Sequence, residues 1–191
     1  VIMHIPVVVQ YRHVHLSEQD QARLFGSDPL LKPIADAGHR GQVVYRETVT
    51  IVGKHGTLEQ VHVLGPSRAQ TQVELSAAEA FALGINAPLR ISGDVKRAAT
   101  CGLRGPHGNI RARACVIVPI WHLHCHARDA KRLGVEQHDV VSLSVLERPD
   151  TRLEQVVVRV HPSFSLSFHL SVDEAAAFWL HTGDVVTLVR L

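Results

Sequence analysis

Cysteine is scarce in this chain: Cys101, Cys115 and Cys125 are odd in number and show no CxxC spacing. That usage suggests reduced thiols in a cytosol-like compartment rather than a disulfide framework. An excess of one charge is also lacking. The formal net charge is +2 and the basic residues form no long run, which argues against nucleic-acid binding and requires any anionic partner to be met locally. No apolar stretch is long enough to span a membrane. Residues 1–9 are apolar, but the stretch is short, contains His4 and Pro6, and lacks the basic lead and cleavage site of a signal peptide. Nor is disorder indicated. A hydrophobic fraction of 46% and a charged fraction of 20% over 191 residues suit one globular domain, or two small ones sharing a core.

What the chain does have is histidine in alternation. In Tyr11-Arg12-His13-Val14-His15-Leu16-Ser17, a strand would put His13 and His15 on one face and aim two imidazoles at one point. Ser17 and Asp20 behind them are spaced as a helix N-cap and its acidic partner. The same plan returns at Trp121-His122-Leu123-His124-Cys125-His126 with Asp129, at a constant shift of 109 residues. Two further copies, Glu74-Leu75-Ser76 with Glu79 and His169-Leu170-Ser171 with Glu174, are related by a shift of 95. In all four, a ligand-type side chain precedes the cap position by two residues and the acidic residue by five. We read this as an internal repeat.

Short β-branched runs separated by turn residues predict strands at residues 5–11, 42–52, 58–64, 71–75, 114–120, 140–146, 155–160, 165–169 and 185–191. Short helices are predicted at 17–25, 77–83, 127–133 and 173–180, and Gly53-Lys54-His55-Gly56 reads as a hairpin turn. Residues 26–41, rich in Pro and Gly, read as an irregular excursion, and 90–103 shows only weak periodicity. Many short strands with only short helices between them predict a mainly β fold of closed barrels with helical caps. A doubly wound sheet would need longer crossovers.

One HxH strand is weak support for a metal, since histidines also pack or hydrogen-bond there. Two pairs at equivalent places in a repeat favour ligation. The repeat supplies two trios: His13, His15 and Glu74, and His122, His124 and His169. Histidine nitrogen with one carboxylate suits zinc or another borderline divalent ion, and three protein ligands leave a position open for substrate. Arg68 lies six residues before Glu74, and Arg159 stands in an otherwise apolar strand. Each is either an edge ion pair or a planar fork for phosphate. Cys125 should face away from the histidine pair, and Ser76 and Ser171 are better helix caps than nucleophiles.

These residues carry a resemblance. Arg12-His13-Val14-His15-Leu16-Ser17, Val63-Leu64-Gly65-Pro66 with Arg68 and Thr71-Gln72-Val73-Glu74, Arg90-Ile91-Ser92-Gly93-Asp94 and the second HxH are similar to the PduL-type phosphate propanoyltransferases, over nearly the whole chain and in the same order. The resemblance implies two tandem six-stranded-type β-barrels with helical caps, a two-zinc site, and transfer of a propanoyl or acetyl group between coenzyme A and inorganic phosphate. It matches His13, His15 and Glu74 to ligands of one Zn2+, His122, His124 and His169 to the other, Arg68 to the phosphate arginine and Arg159 to a family-like arginine. One barrel is expected to combine residues 2–11 and 120–191, the other 12–119 with the excursion around 26–46. A homodimer in the cytoplasm or a bacterial microcompartment is the matching expectation. The chain departs from the family at Trp121, where arginine is usual, and at His126 in place of a Ser/Thr-type cap; it opens almost at its first strand, where members housed in microcompartments often begin with an encapsulation segment. Two other classes would use the same parts: a zinc-dependent thioesterase or lactone hydrolase, and a non-catalytic metal-binding module.

Overall fold

The computed structural model describes residues 2–27, 30–34 and 43–189. Its first half runs β1 (Ile5–Gln10), β2 (His13–His15), α1 (Glu18–Phe25), β3 (Val43–Val52), β4 (Thr57–Gly65), β5 (Gln72–Glu74), α2 (Ala77–Ala82) and β6 (Leu89–Arg90). The second runs β7 (Ala99–Arg104), β8 (Asn109–Pro119), β9 (His122–Cys125), α3 (Ala127–Leu133), β10 (Val140–Val145), β11 (Arg148–Val160), β12 (Ser167–Ser171), α4 (Val172–Phe178) and β13 (Val185–Leu188).

These elements form two units, Tyr11–Pro119 and the combination of Val1–Gln10 with Ile120–Leu191. In the first, strands in the order β5-β2-β4-β3-β7-β8 close into a ring through the β5–β8 pairing, and β6 lies beside β8. The second is a closed barrel in the order β1-β12-β9-β11-β10-β13. The two rings have one cyclic order once β2 is matched to β9 and β5 to β12. Pairing senses match as well: β8 runs parallel to β5 as β1 does to β12, and β4 parallel to β2 as β11 does to β9. The predicted mainly β fold of two barrels capped by short helices is the fold observed.

Chain crossing follows from this matching. The strand before each HxH pair, β1 or β8, completes a ring that does not contain that pair. The chain changes unit at Gln10–Tyr11 and at Pro119–Ile120, just ahead of each histidine strand.

Alternation fills each barrel with aliphatic side chains. Val14, Leu16, Val49, Ile51, Val61, Val63, Val73, Leu75, Leu103 and Val116 share one core. Ile5, Val7, Leu123, Leu143, Leu153, Val156, Val158, Phe168, Leu170 and Val186 share the other. Cys125 is fully buried in the second core, and Cys101 and Cys115 are buried free thiols with sulfurs 3.8 Å apart. No helix among the described residues is long and apolar enough to cross a membrane.

Several elements differ from the sequence expectation. The weakly periodic 90–103 stretch contains all of β7 but its last residue, Arg104, and β6 begins at Leu89. β8 starts at Asn109 and β11 at Arg148, well before the predicted starts. The added halves of these strands are mostly polar and exposed, with Ala112 and Leu153 buried, so the sequence alone gives little strand signal there. The excursion does not reach 46, because β3 is already formed at Val43. Its residues 28–29 and 35–42 lie outside the described residues; within the rest, Pro33 bridges to Tyr45.

Candidate metal centre

Four strand-to-helix turns, two in each unit, carry the two donor trios. Ser17, Ser76, His126 and Ser171 are the N-caps of α1, α2, α3 and α4, each accepting a backbone N–H through its side chain. At Ser76 and Ser171 the reciprocal capping box with Glu79 and Glu174 is complete. A cap two residues beyond a candidate donor fixes the direction in which the chain leaves the strand, and so the attitude of the donor itself.

Register does the rest. β2 runs antiparallel to β5 with His13 opposite Glu74 and His15 opposite Gln72. β9 runs antiparallel to β12 with His122 opposite His169 and His124 opposite Ser167. Partners in register share a face, so each HxH pair acquires its third donor from across the ladder. His13, His15 and Glu74 are brought together, as are His122, His124 and His169; within each buried trio the donor atoms lie within 4.8 Å of one another.

Outer hydrogen bonds set which ring nitrogen faces inward. His13 Nδ1 donates to Tyr11 O at 2.9 Å and His122 Nδ1 to Ile120 O at 2.8 Å, the same backward step in both repeats. His15 Nδ1 donates to Leu64 O at 3.1 Å. A carbonyl can only accept, so the proton sits on Nδ1 and Nε2 keeps its lone pair for a ligand. At His169 the order reverses: Ser167 Oγ donates to Ser165 O at 3.1 Å and accepts from Nε2 at 2.8 Å.

Glu74 is held from behind. Gln72 Nε2 donates to its Oε1 at 2.6 Å and to Ser92 Oγ at 3.0 Å, while Gly93 N donates to Gln72 Oε1 at 2.8 Å. Gly93 has φ +100, a conformation suited to glycine, and that turn aims its N–H at Gln72. Glu74 Oε2 is left buried with no hydrogen bond, 3.5 Å from His13 Nε2. Burial disfavours charge on both groups, but their mutual attraction outweighs it. The Glu74 carboxyl is held below the usual carboxylate range and His13 is raised above its ordinary value. Burial, then the His13 and Arg68 charges, push His15 down to about 3, so it is neutral near pH 7. A carboxylate oxygen without a hydrogen bond, beside imidazoles whose outward nitrogens are occupied, is the donor set a divalent ion requires.

Arg68 reaches the first trio. Its backbone N–H donates to Leu16 O at 2.9 Å, tying the 66–71 loop to the end of β2. Its Nη2 lies 2.9 Å from His15 Nε2, and Nη1 is 3.5 Å from Ser92 Oγ. Thr71 secures the other end of the loop, accepting from Ser17 N at 3.0 Å and donating to Asp20 Oδ2 at 2.6 Å. Arg159 stands opposite His124 in the β9–β11 register, with its Cζ 5.5 Å from the Phe164 ring centre. Trp121 packs edge-on against Phe168 and Phe178 as part of the second core. Sequence reasoning missed Gln72, Ser92, Phe164 and Ser167. Gln72 and Ser167 had a signal, since each lies two residues before a third donor and so on its face.

Fold and site together define a duplicated two-barrel protein in which each barrel presents three buried donors able to hold a metal ion. A family model described as phosphate propanoyltransferase matches residues 6–181. The chain belongs to that family. Proteins named phosphate propanoyltransferase are similar to it throughout. That of Thermotoga maritima is 43% identical over 188 residues, covering 97% of this chain and 89% of its own. That of Lachnoclostridium phytofermentans is 39% identical, covering 97% and 87%, and that of Priestia megaterium 41% identical, covering 94% and 83%.

Proposed function

We propose that this chain is a phosphate acyltransferase that moves a propanoyl or acetyl group between coenzyme A and inorganic phosphate, with one zinc ion at each trio. The observation that carries the reading is the guanidinium of Arg68 beside His15 Nε2, an anion-binding fork next to a buried donor set, in a chain of this family. Zinc at the trios would supply Lewis-acid polarisation and a position open to substrate.

The remaining work falls to the chain itself. Arg68 orients phosphate through a bidentate contact, so that a phosphate oxygen bonds to the thioester carbonyl carbon. The C–S bond breaks, and coenzyme A departs as the thiolate. Gln72 keeps Glu74 Oε1 engaged while Oε2 faces His13, and the Nδ1 hydrogen bonds hold the imidazole planes. Holding both reactants in one orientation needs no covalent acyl-enzyme. Arg159, beside His124, is read as an anion-binding arginine of its own trio.

Metal analysis combined with coenzyme A release from propanoyl-CoA tests this. Two zinc equivalents per chain and release that depends on phosphate are expected. Arg68→Ala should retain the metal and raise the phosphate KM about 10-fold or more, and Arg68→Lys should recover only part. Release without phosphate would mean a hydrolase; metal with no turnover would mean a binding module.

A further inference from the structure

We infer that Phe164 is a positioning residue for the second trio, holding the His124 ring and the Arg159 guanidinium against its own ring. The inference rests on the metal-site reading above. Its basis is the loop between β11 and β12. His161 N–H donates to Cys125 O at 3.0 Å as the chain leaves β11, and Phe164 N–H donates back to His161 O at 3.1 Å. That tight turn returns Phe164 against His124 of β9 and Arg159 of β11. Its ring stacks on His124 with centroids 3.8 Å apart and planes at 14°, and Arg159 Cζ lies 5.5 Å from its centre. Since His124 and Arg159 are neighbours in register, one aryl ring meets both.

The repeat sharpens the assignment. A shift of 95 places this loop on the 66–71 loop, Phe164 on Ala69 and Ser163 on Arg68. A shift of 109 places His124 on His15. Each loop therefore delivers one side chain to the second histidine of its pair: a guanidinium to His15, an aryl ring to His124. The halves differ in what that contact does. Arg68 brings charge to its trio directly, whereas Phe164 brings a flat surface. Imidazole χ2 is a broad, weakly restrained torsion, and a stacked ring narrows it to one plane. The same ring gives the guanidinium of Arg159 a resting place by cation–π attraction.

The test uses the zinc-loaded full chain, a chromophoric chelator and a phosphate titration. Phe164→Ala should release one of the two ions at about 10-fold lower chelator concentration and leave the other unchanged, the size expected for losing an outer support of a ligand. Its phosphate KM should rise while the Arg68 site keeps its ion. Phe164→Tyr keeps the ring and should match the wild type. Phe164→Leu restores bulk without a π face, so it should recover the melting temperature but not metal retention or phosphate KM. Full rescue by leucine, or unaltered retention of both ions in the alanine variant, overturns the inference. The wild type's own two ions and phosphate dependence test the earlier reading; only differences among Phe164 variants test this one.

Discussion

Trp121, the residue just before the second HxH pair, is held by aromatic packing. Its indole lies edge-on to Phe168 at 6.4 Å and to Phe178 at 5.5 Å, and its buried Nε1 has no hydrogen-bond partner. Those contacts belong to packing. An arginine placed there would set a charge among those aromatic rings, so Trp121→Arg should lose about 2–4 kcal/mol of stability. It should gain nothing in phosphate KM. Trp121→Phe keeps the edge contacts and removes the unsatisfied N–H, so it should melt within about 1 kcal/mol of the wild type. Melting curves and a phosphate titration on both variants check this; a lower phosphate KM with unchanged stability in the arginine variant would return position 121 to anion binding.

Among the elements, those governed by local rules were the legible ones. A ligand-type side chain followed by a cap position and an acidic residue, twice with alternating histidines, marked the candidate donor strands and the starts of all four helices, because capping is decided within a few residues. β6 and β7 were not legible, since half-exposed residues such as those of Ala99–Arg104 become strand only when β3 and β8 flank them. The site divides in the same way. Six donors stood out by spacing, whereas Gln72 owes its role to Ser92 and Gly93, some twenty residues on. Phe164 owes its role to a turn that no periodicity announces. The caps carry a prediction at this scale. Ser171→Ala removes the Oγ that accepts from Glu174 N and donates to Glu174 Oε2. It should cost about 1 kcal/mol in denaturant unfolding and weaken metal retention at His169, two residues upstream. Ser171→Asp, itself a good cap, should recover most of both losses.

Over the whole molecule, one unit is continuous in sequence and the other is not. Residues 11–119 carry every strand of their ring, while the other ring needs β1 from before them. β1 pairs with β12 from Val7 to Gln10 and with β13 at Ile5 and Pro6, and it buries Ile5 and Val7. A fragment of residues 11–119 should therefore unfold cooperatively by circular dichroism and bind one equivalent of zinc. Residues 120–191 alone should not, until a peptide of residues 2–10 is supplied. Cooperative folding of 120–191 without that peptide would show that β1 is dispensable to its barrel.

The crossing also sets a timetable. On the ribosome Val7 emerges about 160 residues before its partner Phe168, a wait of roughly 8–32 seconds at about 5–20 residues per second. During that time the continuous barrel can close, while β1 trails from it as a β-branched strand with both edges open, the kind of segment that pairs with neighbouring nascent chains. Pro6, within β1, removes one ladder donor. Slow translation of the second half would lengthen this exposure, so the yield of native protein should depend on how quickly its last strands are made.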